Sequence, residues 1–448
     1  MTFRNLLQVR FVRVTAILVI VAVLIHLTFC AITRHQLDVV ERDIAAHGLP
    51  LLPEQVIPKI PEHGNAAHDY EKAFVLLSLD GDSIYGRETA SSLSSSYQRI
   101  YENVSREQIL HKKDDALRKD IMDQGNWPLN EQEEAWTTLS SPDFDRIRSL
   151  LIEAGRQPSC VFSMHWEEGA AMRMPMLQAM KQAASLLCVH ALLSRQHGQD
   201  DAAMDDFSAA LGMALHTQQI PLIVSDLYAC AEEMTCLRTL SIALSKRALG
   251  DTAAIEALLS QMDDRATLAR DFDTERVILG GSIFGSTIQP FRLPLMAFYQ
   301  GTLMTPFRLH EQAFYDHLLE QASLAARAGQ PMPVVAMPRL VVMARLLIPA
   351  TSMIDQARRQ MEQATATALA VFALERFHQA GNPYPQHLED LVPRQLSSAT
   401  LAAMQPFDYS STAGAWRLES TMMANATQPE VQRTSSQQPV WESPAHPQ

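Results

Sequence analysis

Three observations predict a mainly α-helical chain: a transmembrane helix at the N-terminus, antiparallel helical hairpins after it, and a small C-terminal β-hairpin. The first is a nineteen-residue apolar run, Val14–Ile32, preceded by Arg4, Arg10 and Arg13. The second is a series of apolar stripes at spacings of three and four between Pro175 and Ala380. The third is the change of pattern after Gly381, where aromatic and polar residues alternate and the helical period stops.

The apolar run comes first. As a helix rising ~1.5 Å per residue it spans most of a ~30 Å hydrocarbon core. No acidic residue precedes it, whereas Asp38, Glu41 and Asp43 follow soon after, so residues 1–33 read as a cytoplasmic stub and signal anchor. The run is longer than the apolar part of a cleaved leader, and no A-x-A site follows. Cys30 has bulky Phe29 where a lipoprotein signal needs a small residue. The expected location is the cell membrane, single-pass, with the main domain on the periplasmic or extracytoplasmic side. His26, inside the run, reads as a tolerated passenger.

Residues 34–62 read as a helical stalk passing into a linker punctuated by Pro50, Pro53, Pro58 and Pro61. Residues 63–160 read as a polar helical region. It holds a short helix from Asn65 to Leu79, a Ser- and Gly-rich loop over 80–104, and a fresh helix start at Pro142 after Ser140-Ser141.

Residues 161–381 carry the helical-hairpin core. Pro175 suits a first helical turn, and Gly198 stops that helix. Met204, Phe207, Leu211 and Leu215 make the next stripe, and Pro221 opens a third helix that Gly250 ends. Asp251 caps a fourth helix, which carries Ile255, Leu258 and Met262. Turns this short force antiparallel neighbours. The turn at Gly198 followed by Ala202, Ala203 and Phe207 is similar to one tetratricopeptide (TPR) unit, without a second copy at that period. Arg339 and Arg345 interrupt the apolar segment 333–350, so it is not a second span. Residues 278–310 are apolar and broken by Gly and Pro, and receive no assignment. A long helix from Ser352 to Ala380 ends at Gly381 and Pro383.

Residues 382–422 read as a small helix plus a β-hairpin turning near Gly414, and 423–448 as a disordered tail rich in Gln, Ser and Pro. The order of anchor, Asn65-Ala66-Ala67 with Tyr70, Cys160, hairpin block and Gly381-Asn-Pro-Tyr-Pro resembles a family of bacterial membrane-anchored helical proteins without an assigned activity. The C-terminal pattern is also similar to that of pseudopilin-like exported proteins, with Gln405-Pro406-Phe407-Asp408 in place of the usual Asp-Pro. Neither resemblance implies a functional residue.

Composition narrows the partners. The formal charge is −13, and the first 33 residues hold three arginines and no acid, so the remainder carries −16. An exported domain this acidic is a poor binder of nucleic acid.

Four constellations invite chemistry. Cys160, Met164, His165, Met172, Met174, Met176 and Met180 are soft donors of the kind Cu(I) selects, but methionine also fills cores and the chain has 21 of them. Glu375 and His378 form an E-x-x-H pair, and His317 with Glu320 its reverse; a di-iron site needs two correctly ordered pairs. Ser282 in Gly280-Gly281-Ser282-Ile283-Phe284-Gly285 approaches a nucleophile elbow, with its last glycine one place late. His165-Trp166-Glu167-Glu168 offers a base and a platform without a nucleophile. Each reads more simply as structure, so no catalytic, cofactor-binding or metal residue is assigned and no cofactor is expected. Cys160, Cys188, Cys230 and Cys236 allow disulfides in an oxidising compartment, or buried thiols. The resulting expectation is a membrane-anchored exported scaffold or adaptor with a protein partner. The alternatives are an envelope-polymer hydrolase and an accessory part of a pilus- or secretion-like machine.

Overall fold

A computed structural model describes residues 3–77, 97, 100, 129–262, 265–285, 299, 301–333, 338, 341–412, 415–420 and 440–443. The loop expected over 80–104, apart from Tyr97 and Ile100, lies outside these residues, as does Gly414 at the expected hairpin turn.

Helix α1, Phe3–Ala46, is one unbroken element of 44 residues. Neither Gly nor Pro interrupts it between Val14 and Ala46, so the apolar run continues into the acidic stretch without a hinge. After a short turn of helix, α2 (Pro53–Val56), comes α3 (Ala67–Leu77). Asn65 sets its start. Its side-chain Oδ1 accepts from the Ala67 and Val161 amides, and its Nδ2 donates to the Val161 carbonyl at 3.0 Å.

Helices α4 (Leu129–Leu139) and α5 (Pro142–Gly155) follow. α5 starts where the sequence predicts a fresh helix, and Ser141 caps it, accepting from the Phe144 amide at 3.3 Å. The centre of the body is α6 (Pro175–Gln196), α7 (Asp200–Gln218) and α8 (Ile223–Lys246), each packed against the other two. Gly198 adopts φ +77°, which lets the chain leave α6 and enter α7 after three residues. α5 crosses α7 so closely that a Cβ on Gly212 would lie 2.6 Å from the Gly155 carbonyl oxygen.

α9 (Ala253–Met262) starts where the Asp251 side chain accepts from the Ala253 amide. α10 (Arg265–Thr274) runs through a π-turn, Glu275–Gly280, into Gly281–Ile283. A 3₁₀ turn, Thr302–Met304, leads into α11 (Thr305–Arg327). α12 (Met343–Gln379) begins nine residues earlier than the sequence predicts and ends as expected before Gly381, at φ +86°. A short α13 (Ser398–Ala403) precedes the strands.

The chain is mostly helical with a small antiparallel sheet near the C-terminus, but the sheet has three strands rather than two. β1 (Phe407–Ser411) pairs with β2 (Trp416–Ser420) as expected. β3 (Val440–Glu442) then pairs with β2, Leu418 opposite Trp441. So residues 440–443 depart from the disordered tail expected over 423–448. The physical reason is Trp441: it is fully buried, its ring edge-on to Phe372 of α12 with centroids 6.2 Å apart.

Two apolar clusters form the interior. The larger joins α3, α5–α9, the second half of α12 and all three strands, and so runs across the sequence boundaries drawn at 160 and 381. The smaller lies between α10, α11 and the first half of α12.

Candidate functional site

Every polar constellation picked out in the sequence can now be located. Ser282 is fully buried. Its hydroxyl donates to the Leu279 carbonyl at 3.0 Å and accepts from the Ala170 amide at 2.9 Å. It pins the 3₁₀ turn Trp166–Ala171 to the end of α10, and Gly169 at φ +55° makes room for it. A nucleophile elbow exposes its hydroxyl, and this one is enclosed.

Glu375 and His378 both face Tyr384. The Glu375 carboxylate accepts from the Tyr384 hydroxyl at 3.1 Å and from the Trp416 indole at 3.0 Å. The His378 ring stacks on Tyr384 at 4.1 Å and donates from Nδ1 to the Asn382 carbonyl. The pair fastens the Gly381–Pro385 turn and β2 to α12.

His165 is exposed and pairs with Glu167 at 3.1 Å. Met176, Met180, Met172 and Cys160 are core residues. Burial pushes the Cys160 thiol well above its ordinary range, away from the thiolate a metal requires. All five cysteines are free thiols, and among the described residues no group of three His, Cys, Asp or Glu is placed to hold a metal ion.

The structure also gathers charged groups that sequence reasoning missed. Arg358 of α12 reaches Asp226 of α8, with Nη2–Oδ1 at 2.6 Å and Nε–Oδ2 at 2.9 Å. The guanidinium also donates to the Met262 carbonyl and the Thr267 hydroxyl. Asp271 of α10 lies beside this pair; burial first, then the Asp226 charge, hold its carboxyl well above the usual range. Burial raises the Asp226 carboxyl as well, against the pull of Arg358, and Arg270 stands 3.9 Å from Asp271, so two acids and two arginines share this site. Both acids have no solvent exposure, so the cluster ties three helices together.

Ser194, His190 and Asp206 have the composition of a hydrolytic triad. But Asp206 at 2.6 Å and Ser194 at 3.4 Å both face the same ring nitrogen, Nδ1, where a relay needs one on each side. Arg148 completes the set at 2.5 Å from Asp206. Tyr70 donates to Nδ1 of His216, whose Nε2 donates to the Gln157 carbonyl; burial lowers this imidazole to about 4, so it stays neutral.

One polar cleft of about 480 Å³ opens between the start of α9 and the end of α12. Glu256, Glu375 and Arg376 line it. Glu256 pairs with Arg376 and accepts from Thr252, while Glu375 is already bonded to Tyr384 and Trp416. Asp251 lines it as well, so three acids face one arginine, and Glu256, Glu375 and Arg376 are each already engaged within the fold.

The most extensive contact that the sequence did not foresee is that of α1 with α11. Val14–Ile25 is exposed throughout; from His26 onward a stripe of His26, Cys30, Thr33, Leu37, Val40 and Ile44 turns inward. Phe29 and Phe307 meet edge to face at 5.5 Å, Gln36 contacts His310 at 3.4 Å, and His47 contacts Glu320 at 2.8 Å. His317 holds the other Glu320 oxygen at 3.2 Å. Arg276 donates to the Pro50 carbonyl at 2.6 Å, so even the expected linker is bound to the body. No protein-family model matches this chain, and neither a curated protein nor a solved structure shows significant similarity to it.

Proposed function

We propose that this protein is a membrane-anchored scaffold or adaptor: α1 crosses the membrane once with its N-terminus inside, and the helical body works outside by contact with a protein partner. The observation that carries this reading is the joint between α1 and α11. A tethered enzyme needs only a flexible leash, whereas here the apolar helix continues rigidly for several turns and is gripped from Phe29 to His47. Such a mounting fixes the height and rotation of the body over the membrane, which matters when a surface must meet a partner in one orientation. The α6–α9 block supports it as a stack of helical hairpins, TPR-like at the Gly198 turn, and such stacks present broad faces to peptides and proteins. The excess of acid beyond residue 33 argues against nucleic acid as the partner.

Two measurements test it. Reporters fused after Arg34 and after Gly250 are expected to be active only if they function outside the cytoplasm; activity of a cytoplasmic reporter at either point refutes the topology. Leu37→Asp combined with Ile44→Asp removes two fully buried contacts of the joint, each worth about 1.5–3 kcal/mol, and leaves both apolar clusters untouched. Cells carrying that chain at normal level should behave like cells lacking it. Full function with the joint broken would favour a tethered enzyme.

A further inference from the structure

We propose that the start of α11 is a second membrane contact, in which Leu303 and Phe307 sit in the outer leaflet beside α1. The inference rests on the anchor reading and adds a second point of insertion to it.

Three observations converge. First, α11 runs parallel to α1, since Phe307, His310 and Glu320 meet Phe29, Gln36 and His47 in that order. The N-terminal end of α11 therefore points toward the membrane. Second, Phe29 is three residues inside the outer end of the apolar run, ~5 Å below it at the helical rise. The ring of Phe307 packs on it at that depth. Residues before Phe307 go deeper: Leu303, four positions back, comes about 6 Å further down, well below the headgroups. Third, Leu303 is 76% exposed among the described residues, an apolar side chain at the level where acyl chains lie.

At the next level up, Glu311 accepts from the Val342 and Met343 amides at 2.7 and 2.8 Å, which sets the start of α12 about one turn above Phe307. Val342 is 62% exposed there. The apolar side chains thus face the bilayer from two elements. The occupant of this face is the lipid around α1, because the face is continuous with the apolar surface of that helix.

The test uses the full chain reconstituted into phosphatidylcholine vesicles. Leu303→Trp is compared with Leu24→Trp in the span and with the unaltered chain as baseline, using lipids brominated on the acyl chains. The added emission of Leu303→Trp, about 11 Å below the outer end of the run, is expected to be lost to about the same degree as that of Leu24→Trp, and more to bromine near the methyl end than near the glycerol end. Loss for Leu24→Trp with none for Leu303→Trp would overturn the second contact and leave the anchor standing. Loss for neither would overturn both. Because Leu303 is an exposed residue of the native fold, its replacement does not disturb a core.

Discussion

Replacing Glu232 by Gln should make the chain markedly less sensitive to alkali. Glu232 lies on α8 with 1% of its surface exposed, and one oxygen accepts from the Thr217 hydroxyl at 2.9 Å. Burial, only partly offset by that bond and by Lys181, raises its carboxyl to about 8. The folded state thus holds a proton that the unfolded chain releases near its ordinary value of 4.5. A group raised on folding contributes stability that is complete below the unfolded pKa and is lost as pH climbs through the folded one. At about 1.4 kcal/mol for each tenfold change in proton affinity, the wild type should lose on the order of 4 kcal/mol from this residue between about pH 5 and pH 9. Glutamine has nearly the same shape, keeps an acceptor for Thr217 and cannot ionise. Urea unfolding of the full chain in detergent, followed by circular dichroism across that range, gives the comparison. Glu275 and Asp316, each raised by burial to about 7, titrate in both proteins and cancel in the difference. Parallel stability curves for wild type and Glu232→Gln would refute the reasoning.

Two further substitutions probe how the body is held together. Gly169→Ala places a methyl group 2.3 Å from the Ser282 Cβ at φ +55°, so a loss of several kcal/mol is expected, and Ser282→Gly in the same chain should recover the part due to the clash. Thermal unfolding of the two chains reads this directly. Trp416→Phe withdraws one of the two donors on the buried Glu375 carboxylate and should cost about 1–3 kcal/mol, seen as a lower urea midpoint and faster proteolysis of the C-terminal sheet.

What was legible in the sequence was local. Ser141, Pro175, Gly198, Asp251 and Gly381 mark helix ends through their own backbone or side-chain chemistry, and the structure puts ends close to each. What was hidden depended on distant partners. The inward stripe of α1 was masked because its lower part, His26 to Thr33, lies in a run where nearly every residue is apolar, so periodicity carried no contrast. β3 was hidden by the polar stretch before it, since a strand of three residues has meaning only beside β2. Asp226 and Arg358 stand 132 positions apart. An acid at a helical position between Ile223 and Cys230, on an apolar face, was the one available signal for them, because a charge buried there needs a partner. Two of the polar constellations lie at joints that sequence did not mark: Ser282 between a turn and α10, Glu375 and His378 between α12 and the C-terminal segment.

These joints bear on how a contact protein of this shape would keep its geometry. The larger cluster draws α3, the central helices and the last strand into one interior, so the surface outside it is fixed as a whole. The smaller cluster, between α10, α11 and the start of α12, is the part next to α1. α12 runs through both, and the Arg358–Asp226 pair fastens it to α8 near the passage from one cluster to the other. A force applied to α1 is therefore carried to α11, from the smaller cluster into α12, and through the buried arginine into the larger body. Removing one charge of that pair strands the other without water, which makes the join costly to loosen by small steps. On the proposed reading of α1 as a membrane anchor, rigidity from lipid to outer surface is of little use to a diffusing substrate, but it is what a partner would need if it must find the same surface at the same height each time.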